Sequence, residues 1–205
     1  MRIKIAVYIA IGLISAVIFL AGLQLPSVWS RVVSAIPVVV VGLFAVFDKW
    51  VWKWWIIPKL VQRPILHGTW RGQLNSNWIP STTEKSEGPY EAFLVVTQTF
   101  TTLQISLITE QSKSRSVIAD IVKNGSDDFS VFYHYGNTPK VEVRDGSPIH
   151  MGGVSFEVFD VRPSRLEGEY WTSRNSGGSM IFDYVSNQRI GSFSDGKKLM
   201  KEWER

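Results

Sequence analysis

The sequence predicts a two-part chain: an N-terminal pair of membrane-spanning helices, then an all-β module of about eight strands with a short C-terminal helix. Three observations carry this. Residues from Ile5 to Leu25 bear no charge, and a second apolar run covers roughly Val32 to Phe47. After Pro64 the composition switches to short stretches rich in Thr, Val, Tyr and Phe, punctuated by Gly, Asn and Ser.

A hydrocarbon core about 30 Å thick needs roughly 20 apolar residues at 1.5 Å rise. The first run is long enough, which predicts a span over about 5–25. The second reaches that length only through Trp50-Val51-Trp52-Lys53-Trp54-Trp55, giving a span over about 32–55 whose tryptophans mark its interfacial end. A cleaved signal peptide is the competing reading of residues 1–25. The run exceeds a usual h-region, no small-x-small cleavage site follows, and another apolar run comes directly after.

Charge predicts the orientation. Arg2 and Lys4 precede the first run, Lys49, Lys53, Lys59 and Arg63 follow the second, and Arg31 lies in the connecting turn at Gln24-Leu25-Pro26-Ser27 and beyond. The positive-inside rule then puts both termini and the β module in the cytoplasm. The absence of cysteine fits that compartment and excludes disulfides and thiolate metal sites. Residues 1–63 hold seven basic and one acidic residue, whereas residues 64–205 hold fifteen basic and seventeen acidic. The basic balance therefore belongs to the N-terminal segment and does not indicate a surface for DNA or RNA.

Within the module, alternation marks strands at about Ile65–Trp78, Tyr90–Thr99, Thr101–Thr109, Ser114–Lys123, Phe129–Gly136, Ile149–Val161, Arg165–Ser173 and Ser179–Ser186. Turn residues separate them, among them Glu87-Gly88-Pro89, Asn124-Gly125-Ser126, Asp145-Gly146-Ser147-Pro148 and Arg162-Pro163-Ser164. Only Asp195 to Arg205 has helical spacing, with Leu199 and Trp203 at i, i+4. Short hairpins without crossover helices leave a closed up-and-down barrel or a two-sheet sandwich. Glycines inside otherwise good strands, at Gly68, Gly72, Gly152, Gly153 and Gly168, favour the barrel, where they mark bulges and bends. The domain division is then 1–57 for the helical hairpin, 58–64 for a linker and 65–205 for the barrel.

Catalytic signals are weak. His67, His134 and His150 are isolated from one another and from carboxylates, so each reads as a packed or surface histidine, and no metal site is expected. No nucleophile–base pair or phosphate-cradling loop can be placed, and the chain does not read as an enzyme. Binding signals are aromatic: Trp78, Tyr90, Tyr133, Tyr135, Tyr170, Trp171 and Tyr184. Aromatic faces can stack bases and a nearby Arg can receive phosphate oxygens, so a nucleotide pocket and an ordinary aromatic core remain alternatives. Leu66, Gly68 and Trp70 share one strand face, which reads as a barrel floor. Tyr170 and Thr172, with Arg174 beyond, continue another face toward a rim, where an inward Arg calls for an anion.

The two stretches Leu66-His67-Gly68-Thr69-Trp70-Arg71-Gly72 and Gly168-Glu169-Tyr170-Trp171-Thr172-Ser173-Arg174, behind two apolar helices and a Pro-flanked linker, resemble the two-transmembrane β-barrel effectors of bacterial CBASS anti-phage systems. The resemblance spans essentially the whole chain, and the barrel is lipocalin-like in outline. It implies an inner-membrane effector whose cytoplasmic barrel binds a cyclic dinucleotide as activating ligand, with no other cofactor. It implies that binding drives homo-oligomerisation, disruption of the bilayer and abortive-infection cell death. Tyr170, Thr172 and Arg174 are the candidate ligand contacts, with Arg71, Tyr133 and Tyr135 as further candidates. The alternative is a constitutive, membrane-anchored lipocalin-type barrel that carries an apolar ligand or scaffolds a protein.

Overall fold

The computed structural model describes residues 2–22, 27–77 and 88–203. Residues 23–26, Trp78 and the start of the Glu87-Gly88-Pro89 turn lie outside the described residues, as do the last two of the chain. The chain divides into two units, one of residues 1–57 with 99–102 and one of residues 58–98 with 103–205.

The first unit holds α1 (Arg2–Gly22) and α2 (Ser27–Lys49), which pack against each other, and a 3-10 turn at Val51–Lys53. Among the described residues no helix is long and apolar enough to cross a membrane. This overturns the expected transmembrane hairpin, and with it the multi-pass inner-membrane placement and the orientation built on it. Helix α1 is described over Arg2–Gly22 and its first turn carries Arg2 and Lys4; the expected end at Leu25 lies outside the described residues. Helix α2 takes Arg31 into its own length, contains Pro37 and stops at Lys49. The tryptophan-rich stretch does not continue it, because Trp54 already has extended backbone with ψ 136°. Asp48 is buried, and its Oδ1 accepts hydrogen bonds from the Thr101 amide at 2.8 Å and the Thr101 hydroxyl at 2.7 Å.

The second unit is built on eight antiparallel strands: β1 (Gly68–Ser76), β2 (Tyr90–Gln98), β3 (Leu103–Thr109), β4 (Ser112–Lys123), β5 (Asp128–Pro139), β6 (His150–Phe159), β7 (Arg165–Thr172) and β8 (Gly177–Ser186). Each pairs with the next and β8 pairs back onto β1, so the barrel closes without a free sheet edge at the seam. Alternation turns Leu94 and Val96 of β2, Val131 of β5, Phe156 and Val158 of β6 and Phe182 of β8 into one interior.

One end is sealed. Trp70 is fully buried and its indole N–H donates to the Leu66 carbonyl at 2.9 Å, while the Gln98 side chain accepts from the Leu66 amide at 2.7 Å and donates to the Pro64 carbonyl at 2.8 Å. These bonds satisfy the polar groups that the floor buries. A single helical turn, α3 (Ile57–Leu60), comes before β1 in the chain, and outside the barrel lies α4 (Phe193–Trp203). Ser192 caps it, accepting from the Asp195 amide at 3.2 Å and donating to the Asp195 carboxylate at 2.7 Å. Phe193 and Gly196 of α4 pack on Phe93, with ring centroids of Phe193 and Phe93 5.5 Å apart, and Met200 of the same helix is buried. The helix that the Leu199–Trp203 spacing signals is present, with Trp203 exposed.

Candidate functional site

The end of the barrel opposite Trp70 is open. Inward positions there continue each strand's alternation but change from aliphatic or aromatic to small and polar. Leu74 gives way to Ser76 on β1, Leu107 to Thr109 on β3, Tyr135 to Asn137 on β5 and Tyr170 to Thr172 on β7. They surround an open-mouthed cavity, with Met180 and Val154 deeper inside. Small-molecule sites combine mostly apolar walls with a few convergent polar groups.

Two glycines make room for its aromatic walls. Tyr135 lies opposite Gly152, where a Cβ would stand 2.5 Å from the tyrosine ring and hydroxyl. Tyr170 lies opposite Gly178, where a Cβ would stand 2.9 Å from its ring. Any side chain at either position would displace the tyrosine beside it.

Arg174 sits at the rim, in the turn between β7 and β8. Thr172 holds that turn: its hydroxyl is 2.7 Å from the Ser176 hydroxyl and accepts from the Arg174 amide at 3.2 Å. Asn175 supplies the left-handed residue with φ 55°, a conformation Asn tolerates. The Arg174 guanidinium donates to Ser147 at 3.4 Å. Burial pulls its pKa down, and the neighbouring Tyr135 and Tyr170 phenols pull it back up. Arginine remains charged under such conditions.

The phenols respond in kind. Burial pushes Tyr135 up to about 12, the Tyr170 phenol adds to this, and Arg174 opposes it. Burial raises Tyr170, against a hydrogen bond with Ser76 and the charge of Arg174. Both are therefore neutral hydroxyls at physiological pH, beside one fixed cation. His150, whose ring centroid is 6.5 Å from that of Tyr135 at nearly a right angle, is lowered by burial and by Arg174, so it too is neutral at pH 7. An aromatic wall, hydroxyl and amide hydrogen-bonding groups and one cation can together hold a planar base and an anionic phosphate.

The structure thus gathers Tyr135, Tyr170, Thr172 and Arg174 at one mouth. It does not bring Tyr133 or Arg71 there. Tyr133 points inward one step deeper, its ring centroid 6.1 Å from Tyr135 and 6.2 Å from Phe156. Its buried hydroxyl has no hydrogen-bond partner among the described residues, and burial holds its pKa far above the ordinary tyrosine value. Arg71 faces outward on β1 and pairs with Glu91 at 3.0 Å. Tyr133→Phe is therefore expected to keep stability or raise it by up to about 1 kcal/mol, because an unsatisfied buried hydroxyl is removed. Thermal unfolding and ligand calorimetry on the variant check this; a loss of affinity would return Tyr133 to the site.

Ser76, Asn137 and His150 were missed at the level of sequence. The available signal was the period of two, which carries each strand's inward face out to its end.

The comparisons with known proteins bear on this site. Residues 61–183, which run from before β1 into β8, match the family described as Cap15, cyclic dinucleotide receptor domain. A relative from Yersinia aleksiciae, CD-NTase-associated protein 15, is 30% identical over 151 residues, covering 73% of this chain and 66% of that protein. A relative of the same name from Staphylococcus schleiferi is 23% identical over 152 residues, covering 74% of this chain and 78% of that protein. The chain thus spans just under two thirds of the length of the Yersinia protein.

Proposed function

The chain belongs to the Cap15 cyclic dinucleotide receptor family, and from that premise we propose that it is a CBASS anti-phage effector whose barrel mouth binds a cyclic dinucleotide. The observation that carries this reading is the convergence of Tyr135, Tyr170 and Arg174 on one open cavity. In this reading the tyrosines take the bases by stacking, worth about 1–3 kcal/mol per base. Arg174 receives a phosphate, and Thr172 acts mainly by holding the turn that presents Arg174. The ligand is recognised and left unaltered, as suits a sensor rather than a catalyst.

The proposed output is self-association on ligand binding, followed by disruption of a bilayer and death of the infected cell. Its support lies in the first unit, where Ile9, Leu13, Val17 and Leu20 are exposed large apolar side chains at near-helical spacing. Exposed apolar stripes of this kind mark surfaces that meet a partner or a lipid.

Calorimetry of the full chain against cyclic di-AMP, cyclic di-GMP, cyclic UMP–AMP and a fatty acid tests the reading. Heat with one cyclic dinucleotide, saturating at one ligand per barrel, is expected. Heat with the fatty acid alone would overturn it in favour of an apolar carrier.

A further inference from the structure

We infer that the outer face of β4, centred on Val117 and Ile118, is the surface on which a second copy of this chain docks. The inference deepens the reading above, because it names the surface through which ligand-driven self-association would run.

The local cause is a β-bulge. The β4–β5 register shifts between Ser116 and Ile118, so an extra residue enters β4 and two consecutive side chains face outward. Val117 is 80% exposed and Ile118 68%. The β3 ladder reaches only Lys113, Ser114 and Arg115, so β4 beyond the bulge pairs with β5 alone. Beside the bulge, Gly136 lies opposite Arg115, and a Cβ there would meet nothing within 4 Å. The result is an open groove walled by Val117, Ile149 and Met151, all exposed apolar residues.

The charges on β4 specify the occupant. Along its outer face Arg115 precedes the apolar pair and Asp120 follows it. A second copy laid antiparallel across a two-fold axis sets Val117 against Ile118 of that copy, and Arg115 against its Asp120. The same strand laid parallel would set like charges together. A face complementary to itself in one orientation only is the signature of an isologous contact. The groove also shares Asn137 and His150 with the cavity, so a ligand that moves the His150 ring changes a wall of both.

Sedimentation velocity on the full chain tests this, with and without cyclic di-AMP, cyclic di-GMP or cyclic UMP–AMP, and with calorimetry run on each variant. Val117→Asp, Arg115→Asp and Asp120→Arg are each expected to raise the protein concentration needed for assembly roughly tenfold, with ligand heat unchanged. The paired reversal of Arg115→Asp with Asp120→Arg is expected to restore assembly, which a folding defect would not do. Single variants that assemble like the parent, or a paired reversal as weak as either single, would overturn the proposal. So would a ligand-bound parent that stays monomeric at every concentration. A parent that gives no heat with any nucleotide but dimerises with the same variant pattern would support this face and overturn the ligand reading instead.

Discussion

Arg174→Ala is expected to weaken cyclic dinucleotide binding roughly a hundredfold, which corresponds to about 3 kcal/mol. Arg174 is the one cation among the described residues that line the cavity, and it is close enough to Tyr135 and Tyr170 to interact with their phenols electrostatically. Removing it leaves a doubly anionic ligand facing only neutral hydroxyls and a neutral His150. A charge-assisted contact to phosphate is about twice as strong as a neutral one, and a guanidinium can offer it as a fork of two parallel donors. Arg174→Lys keeps the charge and loses the fork, so an intermediate loss is expected. The barrel should be unaffected, since the turn is pinned by Thr172 and Ser176 rather than by the guanidinium. Calorimetry alongside circular dichroism reads both effects. Unchanged affinity in Arg174→Ala would remove it from the site.

The largest effect on stability is expected at the other end of the barrel. Trp70→Ala should cost about 3–5 kcal/mol, the range for truncating a fully buried aromatic side chain. Trp70 fills the floor and is fully buried, and its indole also satisfies the Leu66 carbonyl. The truncation therefore leaves both a void and an unpaired carbonyl. A melting temperature lower by about 10 °C or more is expected. Trp203→Ala, on the exposed side of α4, is the control and should shift it little. Equal effects of the two substitutions would mean that the floor does not hold the barrel together.

The β module was legible because its physics is local. Period-two alternation and Gly, Asn, Ser and Pro at the turns mark the strands within a few residues, and Leu66, Gly68 and Trp70 identify the floor. Tyr170 and Thr172 fall on an inward face for the same reason, and the next inward step leads to Arg174. Tyr133 was misleading because alternation says that a residue faces inward but not how deep it lies. Arg71 faces outward, as its position next to Trp70 requires. His150 carried no signal, since a single histidine in a strand looks alike whether it packs, faces water or lines a mouth.

The N-terminal third was read less well. Apolar length alone suggested two spans. It could not show that α2 starts early enough to include Arg31, that it stops at Lys49, or that Asp48 is committed to Thr101. Those features depend on where a helix begins and ends, which hydropathy averaged along a run does not resolve. The C-terminal helix lies close to where the i, i+4 spacing puts it, and it buries Met200 while Trp203 stays exposed.

A crystal structure of the full chain with its cyclic dinucleotide bound tests the site most directly. The expected result is a ligand in the barrel mouth, with its bases against Tyr135 and Tyr170 and a phosphate on Arg174. A ligand lodged instead in the outer groove lined by Lys113, Lys140, Lys198 and Lys201, with the mouth empty, would contradict it.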